Sequence, residues 1–425
     1  MILLLFVSFF IFLLINLPIA FSIILSTLIY VFTSGGDISW LLVPTRLMRG
    51  INNFLFICLP LFVLAGQIMN QGGITKRLIR LAQAFVGPIR GGLAMVNVLV
   101  CMLFGGISGS AVAETSAVGS IMIPSMKEEG YSAAFASGLT SVASCMGPII
   151  PPSLAFVLYG AMANVSIKDL FIAGYIPGIM MALGMIILVH FDAVKLGFPR
   201  MNRFTPKEII EAILQSIPCL LLPVLIIGGL VLGWFTPTEA AAVACVYALF
   251  LSICYRSITL KSFWESLVNS AIDSASIMLI VGACYILGYA IANEQLAIKL
   301  TKYIALLDTP VWIKLAMINI GLLVLGMFMD SAPAILLVTP ILAPAMEGMG
   351  LNPIHAGMIV CLNLVIGLTT PPVGVCLYTA TNLAKVKFGD TIKEAIPFIL
   401  VSIVVLLLVT YLPFITEIPF KIIGF

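Results

Sequence analysis

The feature that most constrains this chain is a stretch that occurs twice. Residues 105–153 read GGISGSAVAETSAVGSIMIPSMKEEGYSAAFASGLTSVASCMGPIIPPS, and residues 326–374 read GMFMDSAPAILLVTPILAPAMEGMGLNPIHAGMIVCLNLVIGLTTPPVG. A shift of 216 residues places Glu114 on Asp330, Thr115 on Ser331 and Pro124 on Pro340. A shift of 220 places Gly147 on Gly367, Pro151-Pro152 on Pro371-Pro372 and Ile176-Pro177 on Ile396-Pro397. The difference between the two shifts predicts a four-residue insertion near residues 347–352. A duplicated unit has to be settled before any fold is assigned, because a missed repeat misreads the whole architecture.

Each copy sets glycine, proline, hydroxyls and one carboxylate into apolar sequence. The surroundings are those of a membrane: 61% of the chain is hydrophobic and 9% charged, against about 25% charged in a soluble domain. The chain therefore reads as an all-α polytopic membrane protein. Backbone interrupted at membrane depth is tolerated only where it is buried in protein or lines a cavity. Matched Gly/Pro-interrupted segments in two halves point to the binding site of a transporter.

Taken in order, residues 1–32 have no basic start and too long an apolar run for a signal peptide, and predict a first spanning helix. Residues 38–49, with Trp40, Arg46 and Arg49, suit a helix lying in the interface. Residues 52–70 span, and 74–85 are again amphipathic and basic. The apolar run 93–104 reaches only about 18 Å at 1.5 Å per residue, short of a ~30 Å core. It predicts one arm of a re-entrant hairpin with its tip at residues 105–110. The first broken helix covers 132–165 and a span follows at 171–189.

The expected organisation is a first inverted repeat over 1–193, with scaffold helices in 1–70 and a hairpin at 88–127. A linker and connecting helix cover 194–237. A second inverted repeat covers 238–425, with an amphipathic piece at 257–269, a span at 274–292, a hairpin at 312–346 and a broken helix at 353–383. On that plan the chain crosses nine times. Fourteen of the 21 Lys and Arg residues then fall on the side of the N-terminus, Lys195, Arg200 and Arg203 among them. The positive-inside rule makes that side the cytoplasm and puts the C-terminus outside.

Ser108, Gly109 and Ser110 at the first tip combine flexible backbone with hydroxyls, and the helix starting after them presents free N–H groups. The breaks at Ser144–Pro148 and Gly367–Thr370 offer unwound carbonyls that suit Na⁺. Two readings stay open: a pair of repeat-related cation sites, or serines that cap and glycines that pack. Glu114 and Asp330 are intramembrane carboxylates, hence candidates for function, for helix-end stabilisation or for proton carriage. Thr115, Ser144 and Pro148 stand beside them. Asn164, Thr379, Thr381 and Asn382 follow the breaks and suit either a polar substrate or an interfacial helix end. The nine cysteines form no CxxC or Cys/His cluster, so neither a metal centre nor a disulfide framework is indicated. His190 and His355 stand in different halves with no carboxylate close in sequence, and read as structural. No phosphate-binding GxxxxGK[ST] is present, so any pumping draws on an ion gradient or another subunit.

At GISGSAVAETSAVGSIMIPSM, GPIIPPS, FTPTEAAAVA (235–244), MDSAPAILLVTPIL and GLTTPPVG the chain resembles the large, DctM-type membrane subunit of TRAP (tripartite ATP-independent periplasmic) transporters. The resemblance runs over essentially the whole chain. It implies an elevator-type carrier in a bacterial inner membrane, with hairpins and broken helices in a mobile transport domain and the rest in a scaffold. It implies Na⁺ as coupling ion and no other cofactor. It implies two partners, a small four-helix membrane subunit encoded separately and a periplasmic substrate-binding protein, and an anionic substrate such as a C4-dicarboxylate, sialic acid or another sugar acid. The family's sodium-site elements match Ser108, Gly109 and Ser110 with Gly147, and Asp330 and Ser331 with Gly367, Thr369 and Thr370. Nucleic acid has no place in this reading, nor does enzymatic activity. A protease dyad of Glu114 and Asp330 would need two carboxyls sharing a proton, and these sit on separate hairpins. A stand-alone carboxylate carrier with related hairpins is the nearer rival.

Overall fold

The computed structural model describes residues 2–33, 39–198, 204–306 and 309–423. Residue 38, the expected start of the interfacial helix, and the basic residues Arg200 and Arg203 lie outside the described residues. Twenty α-helices and no strand occur among those described. Eight of these helical segments are long and apolar enough to cross a membrane.

The first are α1 (Ile2–Leu14), α2 (Ile19–Thr33), α3 (Leu42–Ile51), α4 (Cys58–Gln71, entered through a 3-10 turn at Phe54–Ile57) and α5 (Ile74–Val86). Then come α6 (Gly92–Ser108), α7 (Ala111–Glu128), α8 (Ala133–Ala143), α9 (Leu154–Ala163) and α10 (Ile167–Leu196). Two helices connect onward, α11 (Pro206–Val231) and α12 (Pro237–Cys254). The second unit holds α13 (Leu260–Asn293), α14 (Leu296–Leu306), α15 (Val311–Phe328), α16 (Ser331–Gly348), α17 (Pro353–Gly367), α18 (Val375–Ala384) and α19 (Phe388–Tyr411), and α20 (Phe414–Ile423) follows them.

The duplication is visible element by element. Helices α15 to α19 begin 219, 220, 220, 221 and 221 residues after α6 to α10. A single shift thus serves the whole unit, and the insertion expected near residues 347–352 is not there: α7 and α16 are both 18 residues long. At this shift Ser110, which caps α7, falls on Asp330, which caps α16, and Pro124 falls on Pro344. Glu114 therefore matches Ala334 rather than Asp330. Four residues is close to one helical turn, so a slip of four keeps the same face toward the core. Apolar patterning is blind to such a slip; the helix caps are not.

Three other expectations change. Residues 1–32 form not one helix but two, broken where Asn16 adopts φ 65° and Pro18 follows. Pro18 has no N–H to continue the ladder, and α1 packs back on α2. The orientation assigned from nine crossings assumed a single crossing there. The piece at 257–269 and the span at 274–292 are one 34-residue helix, α13. In the first unit Asn53 caps a new turn by accepting from the Leu55 N–H, whereas neither glycine nor proline interrupts residues 260–281. The first hairpin arm is 17 residues, about 26 Å. Its length does not by itself forbid a crossing; the turn at Gly109 is what ends it.

Two turns carry the same device. Thr205 and Thr236 cap α11 and α12, each followed by proline, and the carboxylates of Glu208 and Glu239 accept from the cap N–H groups at 2.7 and 2.8 Å. The FTPTEAAAVA motif is thus a capping box. Thr236→Ala is expected to destabilise the detergent-solubilised protein by about 1 kcal/mol, which thermal unfolding beside the Glu239→Gln variant would check.

The helix contacts gather in two groups that are joined through α5 on α6 and α13 on α16. In one, α4 lies against α12 and α13, α13 against α2 and α3, and α11 against α5 and α12. In the other the two units interleave: α8 packs on α18 and α19, α9 on α16, α7 on α18, α15 on α17. Buried amides clasp each hairpin to a broken helix. Asn97 of α6 donates to Thr140 at 2.6 Å, and Asn363 of α17 donates to Asn319 of α15 at 2.9 Å. A side-chain hydrogen bond in such a setting contributes about 0.6–2 kcal/mol.

Candidate functional site

The two hairpins turn back on small, polar sequence. Gly109 takes φ 62° between α6 and α7, which a side chain rarely allows. Ser110 then caps α7, its hydroxyl accepting from Ala113 N–H at a long 3.5 Å. In the second hairpin Asp330 caps α16, its Oδ1 accepting from the Ser331 N–H at 2.6 Å and from the Ser331 hydroxyl at 3.2 Å.

Each hairpin meets the break of its own unit at a glycine pair. A Cβ on Gly105 would stand 2.9 Å from the Gly147 Cα, and one on Gly367 would stand 2.5 Å from the Gly326 Cα. Neighbouring backbone is equally close: a Cβ on Gly109 would lie 3.0 Å from the Pro152 carbonyl, and Gly374 N–H donates to the Met327 carbonyl at 3.4 Å. The Pro151-Pro152 and Pro371-Pro372 bonds are cis.

Both tips also reach one cavity of about 560 Å³. Hairpin 1 contributes Ser108, Ser110 and Ser116, and hairpin 2 contributes Asp330. The facing wall brings Gln67 and Asn70 from α4 and Asp273 and Ser276 from α13. Gln67 Nε2 donates to Asp273 Oδ2 at 3.5 Å. Among the described residues no lysine, arginine or histidine lines the chamber, and two carboxylates do. Such a surface favours a cation, or an anion accompanied by cations. A second cavity, about 520 Å³, shares Asn70 with the first and is basic, with Lys76, Arg77 and Arg80 on its wall. Arg77 stacks over Tyr255 at 3.6 Å, and Arg80 lies 3.5 Å from Glu211.

The structure thus gathers Ser108, Ser110 and Asp330 at the chamber, with Gly109, Gly147 and Gly367 behind them where tip meets break. Ser331 is buried against Asp330. The hydroxyls of Thr369 and Thr370 both donate to the Ile366 carbonyl, at 2.8 and 3.0 Å, and that of Ser144 to the Thr140 carbonyl at 2.6 Å. Pro148 gives its carbonyl to the Ser153 hydroxyl, and Thr115 donates to the Ala111 carbonyl at 2.8 Å. Glu114 is fully buried beside Gly147 and makes no cap.

The other four candidates stand apart from the chamber. Asn164 ends α9 at φ 55° and lines a separate cavity of about 360 Å³ with Glu347. Thr379 and Thr381 donate to carbonyls of their own helix at 2.8 and 2.7 Å, and Asn382 is exposed on the same helix. Gln67, Asn70, Asp273 and Ser276 escaped the sequence reading. Their signal is unequal: Gln67 and Asn70 stand out on the mostly apolar α4, whereas Asp273 and Ser276 are two among the many polar residues in the first half of α13.

A family model described as "Tripartite ATP-independent periplasmic transporter, DctM component" matches residues 6–415. The chain is 39% identical over 414 residues to the uncharacterized protein YgiK of Salmonella typhimurium, covering 97% of this chain and 95% of that one. It is 36% identical over 400 residues to the sialic acid TRAP transporter large permease protein SiaM of Vibrio cholerae, 94% of this chain and 93% of that one. The crystal structure of the Alcanivorax borkumensis YdaH transporter shares the fold, with a TM-score of 0.61 over 86% of each chain at 12% identity.

Proposed function

This chain belongs to the DctM family of tripartite ATP-independent periplasmic transporter components, and we propose that it is the large permease subunit of a sodium-coupled system importing an organic acid. The observation that carries the sodium reading is the shared chamber: two hairpin tips, two carboxylates and several hydroxyls, with no basic side chain among the described residues to hold an anion alone. Na⁺ seated by Ser108–Ser110 near Gly147, and by Asp330 and Ser331 near Gly367 with Thr369 and Thr370, would turn that wall positive. Helix N-termini at α7 and α16 would add their dipoles. Relatives named for sialic acid, C4-dicarboxylates and 2,3-diketo-L-gulonate support a carboxylate substrate.

The proposed arrangement is two inverted repeats in a bacterial inner membrane. The set containing both hairpins and both broken helices is the transport domain, and the set built on α2–α5 and α11–α13 is the scaffold. A periplasmic binding protein delivers substrate, a small membrane subunit braces the scaffold, and the transport domain slides with Na⁺ and substrate bound. The basic cavity beside Asn70 then serves release, with Lys76, Arg77 and Arg80 on the cytoplasmic side. The test is uptake into proteoliposomes holding this chain and its small subunit. Sialate, a C4-dicarboxylate and a sugar acid are offered with and without the cognate binding protein, under an inward Na⁺ gradient or none. Accumulation requiring both protein and gradient is expected. Accumulation unaffected by collapsing the gradient would overturn the coupling, and accumulation without the soluble protein would favour a stand-alone carrier.

A further inference from the structure

The basic cavity beside Asn70 has the chemistry of a binding site in its own right. It lies where the spans α4 and α12 end, at Gln71 and beside Ser257, near the headgroups of a bilayer those helices cross. Lys76, Arg77 and Arg80 line it and, among the described residues, no carboxylate does. Arg77 is fixed twice, over the Tyr255 ring at 3.6 Å and by donating to the Gly73 carbonyl at 3.0 Å. Arg80 faces Glu211 at 3.5 Å. Among the described residues no acid lies within ion-pair distance of Lys76 or Arg77.

The N-terminus of α5 adds donors to the same wall. Gly73, at φ 69°, has no side chain with which to cap the helix, so the first turn presents uncapped N–H groups and the positive end of its dipole. Thr75 is the second, independent observation. It lines the cavity and is 2% exposed, yet its hydroxyl has no hydrogen-bond partner. Buried threonines elsewhere in the chain bond back to the carbonyl one turn earlier, as Thr140 and Thr339 do. A buried hydroxyl left unpaired is costly. The duplication does not demand these cations. Helix α14 begins 222 residues after α5, and the cavity it helps to line, beside Asn164, carries Glu347 and no lysine, arginine or histidine among the described residues.

We propose that this cavity binds a phosphate group, its oxygens shared among the first N–H groups of α5, the Thr75 hydroxyl, the Lys76 ammonium and the Arg77 guanidinium. Helix N-termini and guanidinium groups are natural phosphate donors. A tetrahedral phosphate meets donors converging from several directions, whereas a planar carboxylate suits a single fork. Two sources offer the group at this depth: the headgroup of an anionic lipid, which basic pockets between membrane helices hold, and phosphate from solution. Ile121 of α7 also lines the cavity, so an occupant bridges α5 and hairpin 1. Asn70 lines both this cavity and the chamber, so an occupant also obstructs release; that effect, unlike the binding, rests on the function proposed above.

Thermal unfolding of the purified chain in detergent tests the binding without any transport. Potassium phosphate is compared with potassium chloride at equal pH and ionic strength, and cardiolipin with phosphatidylcholine. Phosphate or cardiolipin is expected to raise the unfolding temperature of the wild type. Lys76→Gln, at an exposed position, is expected to need about tenfold more of that probe for the same rise, one charge-assisted hydrogen bond being gone. Thr75→Val is expected to unfold no earlier than the wild type without probe, and still to bind about fivefold more weakly. A response to phosphate alone would assign the site to soluble phosphate, and one to cardiolipin alone to lipid. No rise with either probe, or a rise that both variants keep in full, would overturn the proposal. An equal rise with potassium succinate would overturn it in favour of a carboxylate site. In uptake, phosphate loaded inside phosphatidylcholine vesicles is expected to slow accumulation by about half once the site is half filled. Unchanged uptake beside intact binding would overturn the link to release and leave the site standing.

Discussion

Gly367→Ala is expected to abolish uptake, to below about a hundredth of the wild-type rate, because hairpin 2 can no longer dock as it does. The new methyl would stand 2.5 Å from the Gly326 Cα and 2.6 Å from its carbonyl carbon. Backbone cannot rotate away as a side chain can, so hairpin 2 has to lift from the second break. Overpacking of this kind costs about 1–3 kcal/mol even where side chains can yield. The loss would fall on the contact that holds the second tip beside the chamber. Gly321→Ala, on the same hairpin arm, is the control, because nothing lies within 4 Å of its added carbon. That variant is expected to transport normally. Proteoliposome uptake and thermal unfolding of both variants decide the matter. Full transport by Gly367→Ala would mean that the docked hairpin is not needed.

Asp330 combines two roles that substitution can separate. Its carboxylate caps α16 and also lines the chamber. Asparagine caps about as well as aspartate, whereas alanine forfeits about 1 kcal/mol. Asp330→Asn is therefore expected to unfold at the wild-type temperature while its Na⁺ half-saturation rises by about tenfold or more, because a ligand charge opposite to the cation is gone; tenfold corresponds to about 1.4 kcal/mol. Asp330→Ala is expected to lose both stability and Na⁺ response. Uptake measured against Na⁺ concentration, with thermal unfolding alongside, separates the two. Wild-type Na⁺ dependence in Asp330→Asn would reduce this residue to a cap.

Much of the molecule was legible because membrane sequence is simple. In a chain that is 61% hydrophobic, a run such as GGISGS or GLTTPP has few reasons to exist other than to end a helix, and those runs do end α6 and α17. The division of α1 from α2 was written at Asn16 and Pro18, where a short break hid inside a long apolar run. The Glu114–Asp330 match was misleading for a different reason. The Glu114-Thr115 and Asp330-Ser331 pairs stand one turn apart between the two hairpins, and Pro340 and Pro344 stand one turn apart within α16; only the cap positions tell the two registers apart.

By itself, then, the sequence determined the all-helical membrane class, the duplication, the two tips and the two breaks, because each follows from local chemistry: apolar length, glycine freedom, proline's missing N–H. The tertiary structure alone decided which polar groups meet. Gln67, Asn70, Asp273 and Ser276 reach the chamber because α4 and α13 turn those faces toward both tips. Asn164, Thr379 and Asn382 look as polar in sequence but project elsewhere. Glu114 and Asp330 look alike on paper, yet one is sealed against Gly147 and the other caps a helix at the edge of the cavity. Residues far apart in the chain set those environments, and helical periodicity carries no information about which distant face a helix will find.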